Sequence, residues 1–337
     1  MKEAKYFEKL DDKKVRCFLC RHHCLIQNGK TGLCAVRKNV DGTLYALTYE
    51  RCIAKNVDPI EKKPLFHVLP ATTSYSIATV GCNFKCAHCQ NYEISQLPRD
   101  EEIILGEIYP PDEVVKDALY HRCRSISYTY TEPTIYYEYA YDIAIIAKKE
   151  GLKNIFVTNG YTGEEALKDI SPYLDAANVD LKAFTEDFYK KICGAKLQGV
   201  LDTLKLYKKL NIWIEVTTLV ITGYNDSEEE LRDIAQFIKN ELGDYVPWHV
   251  TAFYPTYKLT DAPRTPITKL KNAWEIGKEE GLKFVYTGNI FNTEGESTFC
   301  PKCNKKLIER TGFKITKNLI KDGFCPFCNE TIPGIWS

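Results

Sequence analysis

The sequence predicts a parallel α/β fold in which six or more βα units curl into a full or partial barrel, and three observations lead there. Between about residues 71 and 290, apolar β-branched runs of strand length alternate with segments of helical period. The intervening segments suit the right-handed crossovers that parallel strands require. Eleven of the fourteen cysteines gather in three tight groups, two of which lie outside that rhythm and mark smaller appendages.

SYSIATV at 74–80 reads as the first barrel strand, and PPDEVVKDALYHR at 110–122 as a helix opened by proline and acid. SISYTYTE at 125–132 is a strand, and the helix over 134–150 stops at Gly151. NIFVTNG at 154–160 is a strand, EEALKDISPYL at 164–174 a helix, and NVDLKA at 178–183 a strand. Helical segments follow at 185–192 and 200–209. NIWIEVTTLVI at 211–221 is the longest strand candidate and precedes an acid-started helix from Ser227 to about 241. WHVTAFYP at 248–255, a helix near 266–281 and KFVYTGN at 283–289 complete the series.

The domains expected are thus a cysteine-rich metal-binding segment at 1–70, the barrel at 71–290 and a short module at 296–337. In the first of these, Asp58-Pro59-Ile60-Glu61-Lys62-Lys63-Pro64-Leu65 carries too many prolines and charges for a long regular element. Lys plus Arg (45) equals Asp plus Glu (45), so bulk charge gives no reason to expect nucleic acid or an anionic membrane as partner. No apolar run approaches the roughly 20 residues that span a bilayer. The opening MKEAKYFEKLDDKKVRC has no apolar signal core, so a cytoplasmic location is expected. Abundant Lys, Glu and Ile with a single Met fit a thermophile. Cysteines in such a chain point to metals before disulfides, although a bridge among the isolated Cys52, Cys123 and Cys193 stays open.

Immediately after the first barrel strand comes Gly81-Cys82-Asn83-Phe84-Lys85-Cys86-Ala87-His88-Cys89. Three cysteines at C-x3-C-x2-C are one short of the usual four thiolates of a cubane cluster, which leaves one iron with an open position. A zinc site would want a fourth ligand, and His88, directly before Cys89, is badly placed to share a metal with it.

This loop, with its place in the chain, resembles the signature of the radical S-adenosylmethionine (SAM) superfamily. The resemblance implies a (βα)6-type partial barrel and a [4Fe–4S] cluster on Cys82, Cys86 and Cys89. It further implies that SAM chelates the open iron and is cleaved reductively to a 5′-deoxyadenosyl radical, with an electron donor such as ferredoxin or flavodoxin. In relatives, the residue before the third cysteine lies near the adenine through its backbone, the place of His88.

Ligands of parallel α/β folds collect at the carboxyl ends of the strands. Thr131-Glu132-Pro133-Thr134 ends the second strand, where the family holds the SAM amino group with a Gly-Gly-Glu-Pro-like motif; here only Glu-Pro remains. Glu132 therefore either contacts SAM or caps the next helix. Thr158-Asn159-Gly160 and Asp180-Leu181-Lys182 end the next two strands and resemble glycyl-radical activases such as pyruvate formate-lyase activating enzyme. Asp180 and Lys182 share one face and either bind SAM or pair with each other. His249 is raised as a SAM contact by the same resemblance, with a packed core histidine as the alternative. Asn289 is a candidate to close the far side.

Cys300-Pro301-Lys302-Cys303 and Cys325-Pro326-Phe327-Cys328 are two C-P-x-C knuckles, the arrangement of zinc ribbons and rubredoxins, and predict a zinc or mononuclear iron site. Metal ligation would supply folding energy that so short a tail lacks. Cys17, Cys20, Cys24 and Cys34 predict a second metal site: three thiolates within eight residues suit an auxiliary iron–sulfur cluster, and His22 and His23 would favour zinc.

CFLCRHHC with GLCAVR, the Asp58–Leu65 passage, GCNFKCAHCQN, YTEPT and WHVTAFYP together resemble the radical SAM protein of the AmmeMemoRadiSam system, described as pyruvate formate-lyase activase-like. That resemblance covers roughly 1–290 and implies Memo-type and AMMECR1-type partner proteins. Two functions stay open: an enzyme that abstracts hydrogen from a protein, peptide or small molecule, and a metal-scaffold or electron-transfer protein that does not cleave SAM.

Overall fold

The computed structural model describes residues 1–290 and 293–337. An eight-stranded sheet runs through its centre, with spatial order equal to chain order. Its strands are β1 (Ala54–Pro59), β2 (Thr73–Ala78), β3 (Ser125–Tyr128), β4 (Lys153–Thr158), β5 (Ala176–Asp180), β6 (Trp213–Val220), β7 (Trp248–Ala252) and β8 (Val285–Gly288). From β2 to β8 every neighbouring pair is parallel. Six helices make the crossovers: α1 (Pro111–Tyr120), α2 (Tyr137–Lys149), α3 (Glu164–Ile170), α4 (Leu197–Lys209), α5 (Glu228–Phe237) and α6 (Ile267–Glu279). Strands β1 and β8 are the two edges of the sheet, which is open between them.

The helices form where the sequence alternates buried apolar with solvated charged positions. In α5, Leu231, Ile234 and Ala235 are buried, Ser227 caps by accepting from the Glu230 amide at 3.2 Å, and three glutamates occupy the first turn. The sheet, covered by helices, is apolar on most of its length, with Ile77, Ile126, Val179, Val216 and Val250 fully buried.

Two differences from the sequence reading follow from local chemistry. Ala54–Pro59 is a strand, antiparallel to β2, so the central sheet begins before residue 70. It is an edge strand ending in proline, its pattern is polar, and the turn-rich passage begins inside it. The helical segment near 185–192 is a short helix, Glu186–Phe188, running into a π-turn at Tyr189–Cys193.

Outside the central sheet the named strands pair antiparallel. Phe7–Lys9, Val15–Cys17 and Leu25–Ile26 form one three-stranded sheet, and Lys2–Glu3, Thr43–Ala46 and Arg37–Val40 another. Thr298–Phe299, Lys306–Thr311 and Lys314–Asn318 form the C-terminal sheet. All fourteen cysteines are free, so no bridge joins Cys52, Cys123 or Cys193. Among the described residues no helix is long and apolar enough to cross a membrane.

Candidate functional site

Beyond β2 the chain turns at Gly81, whose φ of +101° suits glycine and whose missing side chain lets Val36 and the Cys34 carbonyl pack close. The cysteine loop is then pinned along its backbone. Lys85 and Ala87 amides donate to the Cys193 and Ile192 carbonyls at 2.9 Å each, using acceptors left free at the end of the π-turn. Lys258 donates to the Ala87 carbonyl at 3.0 Å. Arg99 reaches the carbonyls of Cys82 (3.1 Å), Phe84 (3.3 Å) and Leu33 (2.8 Å). A loop fixed at so many points holds its three thiols in place ahead of any ligand.

Cys86 is buried, Cys82 and Cys89 partly so. Burial pushes the Cys82 and Cys89 thiols up, and the Ser95 hydroxyl sits 3.1 Å from the Cys89 sulfur. Cys86 is shifted down by a hydrogen bond from Cys193, helped by Lys182 and opposed by burial. Ligation at this loop would release protons and favour the thiolates further.

The strand ends supply polar groups at the same mouth. Asn159 Nδ2 donates to Asn83 Oδ1 at 2.7 Å and approaches the Cys82 sulfur at 3.8 Å. Lys182 pairs with Asp180 at 2.7 Å, the internal pairing foreseen as the alternative use of both. Burial works against the Lys182 ammonium, but Asp180 and the sulfurs of Cys86 and Cys193 outweigh it and hold it charged. Asn225, buried and hydrogen-bonded to the Lys182 carbonyl at 2.6 Å, fixes that strand end. His88 is buried, and desolvation plus the Lys182 charge push it down to about 3, so its ring is neutral. Its Nδ1 is buried with no hydrogen-bond partner.

Glu132 is fully buried. One oxygen accepts from the Thr134 amide (2.9 Å), the Thr134 hydroxyl (2.6 Å) and the Thr158 hydroxyl (2.8 Å), and the other from the Asn159 amide (2.8 Å). Burial still pushes its carboxyl above the ordinary range. It therefore caps Pro133–Tyr136 and staples the ends of β3 and β4 together. Asn289 donates to the Ala252 carbonyl at 3.0 Å and ties the ends of β7 and β8.

His249 is not brought to this mouth. It is the second residue of β7, and its Nε2 lies 2.6 Å from Glu215 Oε2. Glu215 also accepts from the Phe66 (2.9 Å) and His67 (2.8 Å) amides, so the pair belongs to a buried network at the amino ends of β6 and β7. The resemblance offered His249 as a SAM contact and the residue type as a packed core histidine, and the register with Glu215 puts it in the buried network.

The outer groups are assembled as well. Cys300 and Cys328 sulfurs are 3.5 Å apart, Cys303 and Cys325 3.7 Å, and all four lie within 4.8 Å of one another. Cys17, Cys20, Cys24 and Cys34 line a single cavity with His22, Arg37 and Asn83. Sequence reasoning missed Asn83, Arg99, Cys193 and Asn225: only Asn83 carried a signal, its position within the loop. The others reach it through folding.

A three-thiol loop leaving the carboxyl end of the first parallel strand of an open α/β barrel, ringed by polar strand ends, defines a class of iron–sulfur barrel enzymes. A family model described as the radical SAM superfamily matches residues 76–238. A Methanocaldococcus jannaschii protein described as uncharacterized is 49% identical over 334 residues, covering 98% of this chain and 99% of its own. The pyruvate formate-lyase-activating enzyme of Clostridium pasteurianum is 24% identical over 183 residues, 53% of this chain and 76% of that one. Among solved structures, Streptococcus suis SuiB bound to precursor peptide SuiA is similar in fold, with a TM-score of 0.51 at 14% identity over 72% of this chain and 55% of that one. The chain belongs to the radical SAM superfamily. It is an enzyme, and the family brings a [4Fe–4S] cluster and SAM.

Proposed function

We propose that this enzyme reductively cleaves SAM at a [4Fe–4S] cluster held by Cys82, Cys86 and Cys89 and abstracts hydrogen from a protein, peptide or small-molecule substrate. One observation carries the reading: the three thiols share their mouth with Asn159, the Asp180–Lys182 pair and the unpartnered Nδ1 of His88. Cys82, Cys86 and Cys89 would hold the cluster, which would supply the single electron that parts the C5′–S bond of SAM into methionine and a 5′-deoxyadenosyl radical.

The chain's own groups then have separate tasks. The neutral His88 ring offers its free nitrogen to an adenosyl group. Lys182 sets positive charge beside Cys86 and offers a partner for a carboxylate, and Asp180 a partner for an ammonium. Glu132 acts through position, holding the Asn159 amide so that the Asn159 side chain faces Cys82. The pinned loop holds the three thiols in one place at the mouth.

In the C-terminal module, two knuckles and a three-stranded sheet support zinc, or a mononuclear iron, in a zinc-ribbon or rubredoxin-like site. Ferredoxin- or flavodoxin-type donors and Memo-type and AMMECR1-type partners are proposed on the sequence resemblance. A SAM-dependent mass change in such a partner would identify it as substrate.

The test is anaerobic incubation of the reconstituted protein with SAM and dithionite. The expected products are 5′-deoxyadenosine and methionine, abolished by Cys86→Ala while the outer metals stay bound. Neither product from protein with an intact central cluster would leave the metal-scaffold or electron-transfer reading in its place.

A further inference from the structure

The two outer cysteine groups differ in a way that discriminates their metals. A single zinc, with Zn–S near 2.3 Å, draws four sulfurs to about 3.8 Å from one another. The C-terminal sulfurs, at 3.5 and 3.7 Å in two pairs, have that spacing. Among the described residues no three of Cys17, Cys20, Cys24, Cys34, His22 and His23 bring ligand atoms within 4.8 Å of one another. Yet all four of these cysteines line one cavity. Four thiols around a common space, too far apart for one ion, suit a cubane whose irons stand at separate corners.

The cavity's other walls match an anionic sulfur cluster. Arg37 and Asn83 both line it, both are buried, and each has an N–H nitrogen, Nε and Nδ2, without a hydrogen-bond partner. Arg37 Nη1 donates to Glu138 (2.9 Å) and Nη2 to Glu138 (2.8 Å) and the Lys5 carbonyl (2.8 Å), which fixes the guanidinium at the cavity wall. Buried N–H groups of this kind are costly unless an acceptor completes them, and cluster sulfurs are acceptors. His22, the nearest candidate for a nitrogen ligand, has its Nε2 2.9 Å from the Asn83 carbonyl.

The cavity also adjoins the central loop. Asn83 follows Cys82 in the chain and lines the N-terminal cavity. Arg99 joins the carbonyl before Cys34 to the Cys82 carbonyl, and Gly81 lies against Val36 and Cys34.

We propose that Cys17, Cys20, Cys24 and Cys34 hold an iron–sulfur cubane and that this cluster passes single electrons to the central one. A low-potential donor of ferredoxin or flavodoxin type loses one electron to the N-terminal cluster, which returns to its oxidised state on reducing the central cluster; no bond is made or broken. The metal assignment stands by itself, and the relay role rests on the proposed SAM chemistry.

The first test replaces Cys82, Cys86 and Cys89 together by alanine, reconstitutes anaerobically with iron and sulfide, and counts acid-labile sulfide. About four sulfides per chain are expected, with an electron paramagnetic resonance signal on reduction that SAM leaves unchanged. Native protein, which needs no substitution, should hold twice that sulfide. Zinc in the N-terminal site, or sulfide for one cubane only in the native protein, overturns the assignment. The second test uses Cys24→Ser/Cys34→Ser, checked for an unchanged, SAM-sensitive signal of the central cluster. Reduction of that cluster by reduced flavodoxin should slow by about an order of magnitude. An unchanged rate overturns the relay. Failure of native protein with both clusters to cleave SAM would instead strike the proposed function, leaving the sulfide count untouched.

Discussion

Asp58 sits nearly dry between two ammonium groups. Lys63 Nζ is 2.7 Å from one oxygen, Lys62 Nζ is 2.9 Å from the other, and the Tyr130 hydroxyl donates as well. Burial pushes the Asp58 carboxyl up, but these three donors outweigh it and hold it well below the usual range. Lys63, 2% exposed, is pushed down to about 8 by burial in spite of Asp58. The ammonium is the more deeply buried partner, and its desolvation exceeds what one carboxylate returns. The pair therefore adds little net stability, while removing only the carboxylate strands a buried charge. Asp58→Asn should cost about 3 kcal/mol by urea midpoint, with Asp58→Asn/Lys63→Met recovering most of it. Because the folded carboxyl titrates below the unfolded one, its contribution is complete above about pH 4 and fades as pH falls further. Asp58→Asn should accordingly show a shallower loss of stability below pH 4 than the native protein. Lys63 works in the opposite window, since the folded state sheds its proton first and stability rises from about pH 8 toward the unfolded lysine value.

At the scale of elements, the segment 18–21 lies as a strap against the barrel. Cys20 bridges Thr162, the Arg21 amide donates to Tyr161, and the Gly163 amide donates to Leu19. A Cβ on Gly163 would stand 2.5 Å from the Phe18 carbonyl oxygen and 2.8 Å from that of Leu19, at an ordinary negative φ. Gly163→Ala thus tests packing without backbone strain and should lose about 1–3 kcal/mol of docking, seen as faster proteolysis within residues 1–50. Native-like resistance there would remove the strap from the account. The barrel helices were readable because each repeats its buried face at a fixed period, as in α5, and the strands because each is a short apolar, β-branched run buried on both faces. Ala54–Pro59 was not, because an edge strand with one partner has no such repeat. Nor was the π-turn whose carbonyls seat the cysteine loop: one extra residue per turn leaves no mark in composition.

For the whole molecule, the C-terminal module closes the floor of the barrel. Arg310 donates to the Phe66 carbonyl at 2.7 Å, His67 Nδ1 lies 2.7 Å from the Pro333 carbonyl, and His67 Nε2 meets the Tyr286 hydroxyl at 2.7 Å. Phe66, Phe284 and Tyr286 pack with Cys300, Cys325 and Ile332 in one buried cluster. Stripping the proposed C-terminal metal with a chelator, or Cys303→Ser, should loosen 296–337 and with it this floor. The expected readouts are a shifted Trp336 emission and a melting point lower by several degrees, with the barrel helices retained. An unchanged melt would make the module independent of the barrel.

From the sequence by itself came the alternation of strand and helix, the three-thiol loop after the first parallel strand and the two knuckles of the tail, because period and spacing are properties of neighbours along a chain. Tertiary structure alone decided that His249 serves the floor, that Glu132 is a staple, that Cys193 backs Cys86, and that Arg37 and Asn83 line one cavity with four cysteines. These depend on register, on which end of a strand is used, and on segments far apart in the chain packing together. No local pattern records such distances.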